Sequence, residues 1–261
     1  MRKSLIMCTA LTSALFFFVS ASWAHFAMII PSTDNVEKGG RQEISLQLMF
    51  IHPFKGGPIM DLAKPMKFGV VVDGKVTNLL GMLKKKKIEG KTTWAENYRI
   101  KRPADYIFFM LTRPYWEPAK DKFVMHATKV IVDAMAAQTG WDQPIANLVG
   151  LPCEIVPLTR PYSLYKDNLF TGRVFQHGKP MPGTEVQVEW WGPGGANPPR
   201  DSHATQVVMT DPNGIFSFAM PKAGWWGFAA RMEGREKMKR DGKEKAVEQA
   251  AVIWVKAYPP E

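Results

Sequence analysis

The chain has 261 residues, 46% of them hydrophobic and 22% charged, and a formal net charge of +10. This balance excludes long disorder, collagen and coiled coil, and it suits one large domain or two modest ones. The 20 prolines and 21 glycines are spread along the length and favour many short strands over long helices.

In chain order, Arg2 and Lys3 precede an apolar stretch from Leu5 to Val19, and small residues follow at Ser22 and Ala24. That pattern predicts a secretory signal peptide over residues 1–24, cleaved after Ala24 to leave His25 at the start of a periplasmic chain. The apolar run falls short of the roughly 20 residues a membrane span needs, and no later stretch supplies one. Once Cys8 is removed, Cys153 has no partner for an intramolecular disulfide and reads as a small core residue.

From 25 to 158, strands are expected at 26–30, 43–50, 67–72, 98–100, 106–111 and 124–132, separated by Pro, Gly and Asn/Asp clusters. Asp73-Gly74 between Val72 and Lys75 signals a tight hairpin, because that pair accepts positive φ. Residues 131–138 read as helical and 141–148 as loop. Pro157 and Pro161 stiffen a linker into a second unit, 163–261, with strands at 169–175, 185–191, 215–219, 224–230 and 247–257 and a strong turn at Asp211-Pro212-Asn213-Gly214. The expected fold is all-β, two consecutive antiparallel β-sandwich domains, the second immunoglobulin-like or transthyretin-like. The four lysines at 84–87 and the basic-rich stretch 231–245 read as solvated loop tips.

Signatures of nucleotide binding and hydrolysis are missing: the sequence has no Walker loop, no G-x-S-x-G elbow, no H-E-x-x-H and no Rossmann fingerprint. No enzyme activity is therefore expected. Export and the lack of an aromatic-interleaved basic face argue against nucleic acid. Histidine carries more information. A terminal His25 would place an α-amino group beside its imidazole, and the two nitrogens can close a chelate ring on one divalent metal. His52 ends one apolar strand and His126 lies inside another, while His177 and His203 fall in turns. Imidazole and amine nitrogens suit Ni²⁺, Co²⁺, Cu²⁺ and Zn²⁺, and Glu117 or Asp61 could add an oxygen ligand.

Several segments carry a family resemblance: His25-Phe26-Ala27-Met28-Ile29-Ile30-Pro31, His52-Pro53-Phe54-Lys55-Gly56 with Met60-Asp61-Leu62, and Arg113-Pro114-Tyr115-Trp116-Glu117-Pro118. Gly150-Leu151-Pro152, Glu154-Ile155-Val156-Pro157-Leu158, Gly178-Lys179-Pro180 and the run from Pro221 through Gly224-Trp225-Trp226-Gly227-Phe228-Ala229-Ala230 extend it. Together they resemble a bacterial periplasmic family, a domain of unknown function associated with nickel/cobalt uptake and nickel transport complexes. The resemblance implies an exported accessory protein that captures nickel or cobalt and passes it to a membrane transporter component. It places His25, His52 and His126 at matching histidine positions; their role as ligands follows from their chemistry. His177 departs from the pattern, since relatives carry Asp before the Gly-Lys-Pro turn.

Two other readings stay open on sequence alone. An N-terminal His with a second His can hold copper in a T-shaped brace and oxidise a polysaccharide. A metal-free module could instead present Trp94, Trp116, Trp141, Trp190, Trp191, Trp225 and Trp226 to a sugar or protein, although Trp225 and Trp226 alternate with small residues as core tryptophans do.

Overall fold

The computed structural model describes residues 25–192 and 194–260; the leader expected at 1–24 lies outside them. The chain opens with β1 (Phe26–Pro31), buried throughout, and the short β2 (Asn35–Val36). β3 (Glu43–Ile51) alternates exposed and buried residues at first and is wholly buried over its last four. Two hairpins follow, β4 (Lys67–Val72) with β5 (Lys75–Asn78) and β6 (Lys84–Ile88) with β7 (Lys91–Arg99). Next come β8 (Ala104–Leu111), β9 (Tyr115–Glu117) and β10 (Lys122–Ala134), a single helical turn α1 (Ala146–Val149), and β11 (Cys153–Pro157). The second half holds β12 (Leu164–Tyr165), β13 (Leu169–Gln176), β14 (Lys179–Pro180), β15 (Glu185–Trp191), β16 (Gln206–Met209) and β17 (Ile215–Ala219). The long strands β18 (Gly224–Arg240) and β19 (Lys243–Tyr258) complete it.

The all-β sandwich expectation holds, with one architectural addition. A central sheet runs β16-β15-β18-β19-β10-β8-β4-β5, and two smaller sheets, β1-β3-β7-β6 and β11-β13-β14 with β17, pack against it. Central-sheet side chains alternate between the two packing partners. Val70, Phe108, Val130, Val132, Val252 and Trp254 join the core of β1 and β3. Val71, Ile107, Phe109, Ile131, Ile253 and Val255 join the core of β11, β13 and β17. Because both faces are covered, β8 is buried throughout and β10 from Phe123 onward, instead of alternating.

The units expected at 25–158 and 163–261 meet in this one sheet, where β10 runs parallel to β19 from Phe123↔Val247 to Val130↔Trp254. Three local expectations change. Residues 131–134 continue β10 instead of starting a helix, because β-branched Val130, Ile131 and Val132 pack on both faces. The lysines at 84–87 form an edge strand, β6, with its four lysines exposed. The stretch 231–245 is a two-stranded ribbon closed by Asp241 and Gly242 at φ 50° and 75°. Those angles match Asp73 and Gly74 at φ 48° and 71°, so both turns follow the same Asp-Gly rule.

β1 is the strand that sets the position of the first histidine. Phe26, Met28 and Ile29 are fully buried, each worth about 1.5–3 kcal/mol relative to exposure. This burial fixes the strand, and with it His25, the residue that precedes it.

Candidate metal centre

Register places the first two histidines together. β1 pairs antiparallel with β3, and Phe26 faces Ile51, so one step outward His25 stands across from His52. Their rings lie 3.9 Å apart between centroids, tilted by 38°. His25 also stacks on Phe50 at 5.5 Å, and Phe50 meets the edges of Tyr115 at 4.7 Å and His126 at 5.6 Å.

From β9, Glu117 reaches His25, with Oε2 3.3 Å from Nδ1. The angles do not make a hydrogen bond, and His25 Nδ1 is a buried nitrogen with no hydrogen-bond partner. Burial, with His52 and Lys120 nearby, lowers the His25 pKa to about 4. The ring is therefore neutral at physiological pH and keeps a lone pair for a Lewis acid.

His126 does different work. Its Nδ1 accepts a hydrogen bond from the Ala27 amide at 3.1 Å, and its own amide donates to Thr112 Oγ1 at 2.9 Å. With Nδ1 accepting, the proton of the neutral ring sits on Nε2. Burial lowers its pKa to about 3, which keeps the ring neutral. The Ala27 carbonyl is also held, by Trp254 Nε1 at 3.1 Å and Thr128 Oγ1 at 3.3 Å. β1 is an edge strand whose outward backbone groups would otherwise be orphaned inside the protein; His126, Thr128 and Trp254 satisfy those of Ala27.

Asp61 is not brought to the histidines. It lines a separate cleft with Leu62 and Arg113, where Phe50 and Tyr115 form the shared wall. Its Oδ1 accepts the Thr92 amide at 2.7 Å, and that bond holds its carboxyl below the usual range. Among the described residues, no three His, Cys, Asp or Glu side chains stand as a ready metal-binding group. The side-chain donors here are the His25–His52 pair with Glu117 against it. His177 and His203 are exposed and remote in sequence from this pair.

Sequence reasoning misses the charged floor of the site. Lys120, Arg231 and Glu248 share a small cavity of about 10 Å³ with His25, Tyr115, Glu117 and His126. Arg231 donates to both oxygens of Glu248 at 2.7 and 2.8 Å, and Lys122 donates to one at 3.2 Å. Burial would raise this carboxyl, but Arg231, Lys120 and Lys122 overcome it and hold it at about 2. In sequence Arg231 opens what reads as a solvated charge run, while Lys120 and Glu248 belong to no motif. Only the pairing of β18 with β19 and the approach of β9 gather them here.

The loop carrying His52 is fixed from the other half of the chain. Glu189 accepts the Phe54 amide at 3.2 Å, and the Ala196 amide donates to the Phe54 carbonyl at 2.7 Å. Gly195 packs so closely that an added Cβ would lie 2.4 Å from the Lys55 carbonyl oxygen. Trp225 and Trp226, at 8% and 2% exposed, are core residues and offer no recognition surface.

Comparison with known proteins gives a family and no functional precedent. The family model described as Domain of unknown function (DUF4198) matches residues 22–234. No curated protein matches the sequence. Among solved structures, the chain is similar to a bacterial ice-binding adhesin involved in host cell surface retention, at 8% identity and a TM-score of 0.25, over 91% of this chain and 65% of that one. It is also similar to the D00-D0 domain of intimin, at 11% identity and a TM-score of 0.20, over 88% of this chain and 99% of that one. A third likeness is to the major pilin subunit BcpA of Bacillus cereus, at 10% identity and a TM-score of 0.21, over 90% and 71% of the two chains. The chain thus spans just under two thirds of the adhesin structure. Among the described residues no helix is long and apolar enough to cross a membrane.

Proposed function

We propose that this chain, which belongs to the DUF4198 family, is an exported protein that binds a divalent transition metal at His25 and His52 and delivers it, as nickel or cobalt cargo, to a membrane transporter. One observation carries the reading: His25 Nδ1, buried beside His52 and Glu117, has no hydrogen-bond partner. That nitrogen is the one that closes a six-membered chelate ring with the α-amino group that cleavage after Ala24 would expose. His25 would supply two nitrogens, His52 a third, and Glu117 an oxygen. Nickel and cobalt both accept such mixed nitrogen–oxygen sets. His126 keeps β1 in place and supplies no donor, because its Nδ1 already serves Ala27.

Copper is the competing reading, favoured by the same pair. Two imidazoles and an amine match a T-shaped brace, and intrinsic affinity runs higher for Cu²⁺ than for Ni²⁺. The test is calorimetric titration with Ni²⁺, Co²⁺ and Cu²⁺ of a chain that begins at His25, beside one carrying an extra residue before it and beside His52→Ala. The proposal expects a loss of at least about tenfold in affinity in both altered chains. Unchanged affinity in the extended chain would remove the terminal chelate. Reductant-dependent oxidation of a polysaccharide by the copper-loaded chain would move the assignment to the copper enzyme.

A further inference from the structure

On the floor of the histidine site, Lys120 is a loosely paired cation. Among the described residues, Glu248 is the carboxylate in contact with Arg231, Lys122 and Lys120, and it already accepts two bonds from Arg231 and one from Lys122. Lys120 reaches it only at 3.9 Å, although its side chain is 19% exposed. Glu117 is the second carboxylate, and it faces His25. Among the residues that line the cavity, Lys120 and Arg231 meet two carboxylates, Glu117 and Glu248, and Glu185 also acts on Arg231 from the neighbouring strand. A dication on His25 would leave this balanced lining with two uncompensated positive charges, between walls that include Tyr115, Val124, Ala229 and Ala250. Like charges gathered at low dielectric repel by several kcal/mol unless an anion joins them.

The cavity among these groups measures about 10 Å³, about what one water-sized atom requires. Lys120 lies at its wall with donor capacity to spare.

We infer that the metal is held together with an anionic ligand, and that one carboxylate oxygen of that ligand enters the cavity to bridge the metal and the Lys120 ammonium. The inference rests on the proposed metal binding and names its cargo more closely: a metal–carboxylate complex and not the aqua ion. A free small carboxylate and an organic chelator share this chemistry. A whole chelator is too large for the cavity, so only its carboxylate head would enter.

The experiment is metal titration of the chain beginning at His25 in a perchlorate buffer, alone and with formate, citrate or chloride, repeated for Lys120→Met and Lys120→Arg. Formate is expected to tighten Ni²⁺ binding by about tenfold, the effect of one charge-assisted contact. The gain should persist in Lys120→Arg, which retains the cation, and vanish in Lys120→Met. A larger gain with citrate than with formate assigns the source to a chelator; equal gains assign it to free carboxylate. Metal binding that ignores formate, or that responds equally in Lys120→Met, overturns the inference and leaves the metal reading standing. So does a response to chloride alone. Failure to bind metal in every buffer overturns both.

Discussion

His126 shows how a residue of the right type can serve structure instead of coordination. Its Nδ1 lone pair holds the Ala27 amide, and its removal would leave a buried donor unpaired as well as a cavity. His126→Ala is expected to cost about 3 kcal/mol in chemical denaturation, while metal stoichiometry at saturation stays unchanged. A loss of stoichiometry in folded variant would make His126 a ligand. Glu189 sets a pH dependence. Burial raises its pKa from 4.5 to about 7, so the folded state binds a proton that the unfolded state has released. Its contribution to stability is greatest below about pH 4.5 and declines as pH rises through about 7. Glu189→Gln should remove this decline, worth up to about 3 kcal/mol, in melts recorded from pH 5 to 8. Parallel profiles for the two proteins would show that Glu189 does not titrate there.

At the residue scale, sequence exposes the chemistry of His25, His52 and Glu117 but not their meeting. The meeting depends on the register of β1 against β3, and the turns between them leave no local signal for it. Asp61 looks equivalent to Glu117 because any loop carboxylate does. Thr92, distant in sequence, decides its role.

Strands are legible where turn chemistry is explicit and illegible where charge conceals it. Asp73-Gly74 and Asp241-Gly242 make the same turn, yet only the first reads as a hairpin, since the second sits in a run of basic residues. The ribbon it closes is anchored at Trp116, where the Arg240 guanidinium lies 4.5 Å from the ring. β10 resembles a helix past Ile131 because a strand covered on both faces loses the period-two pattern that identifies strands. Gly195 offers a test of how one loop supports another. Its φ of +63° and its contact with Lys55 leave no room for a side chain. Gly195→Ala should cost about 1–3 kcal/mol and weaken metal binding through displacement of the 52–56 loop, although Gly195 touches no proposed ligand. Wild-type stability and affinity would show that the two loops move independently.

For the whole molecule, the parallel pairing of β10 with β19 is what sequence reading could least anticipate, because neither strand names its partner. The two halves have separate apolar patterns and a proline-rich connection, which suggest beads on a string. In the structure both halves contribute strands to a common central sheet. Unfolding should therefore be one cooperative event, with calorimetric and van't Hoff enthalpies in agreement. Two resolved transitions would restore the picture of independent halves.

The first and last described strands come together at the histidines. His25 opens the described chain, whereas Glu248 lies on its last strand. During synthesis the chain emerges from the ribosome with its first strand leading, so the floor beneath His25 is missing until β19 has been made. A nascent chain thus has His25 and His52 before it has Glu248 beneath them, so the proposed metal site is complete only once β19 has formed. If the proposed site binds metal, clipping the final strand should weaken that binding even with every proposed ligand intact.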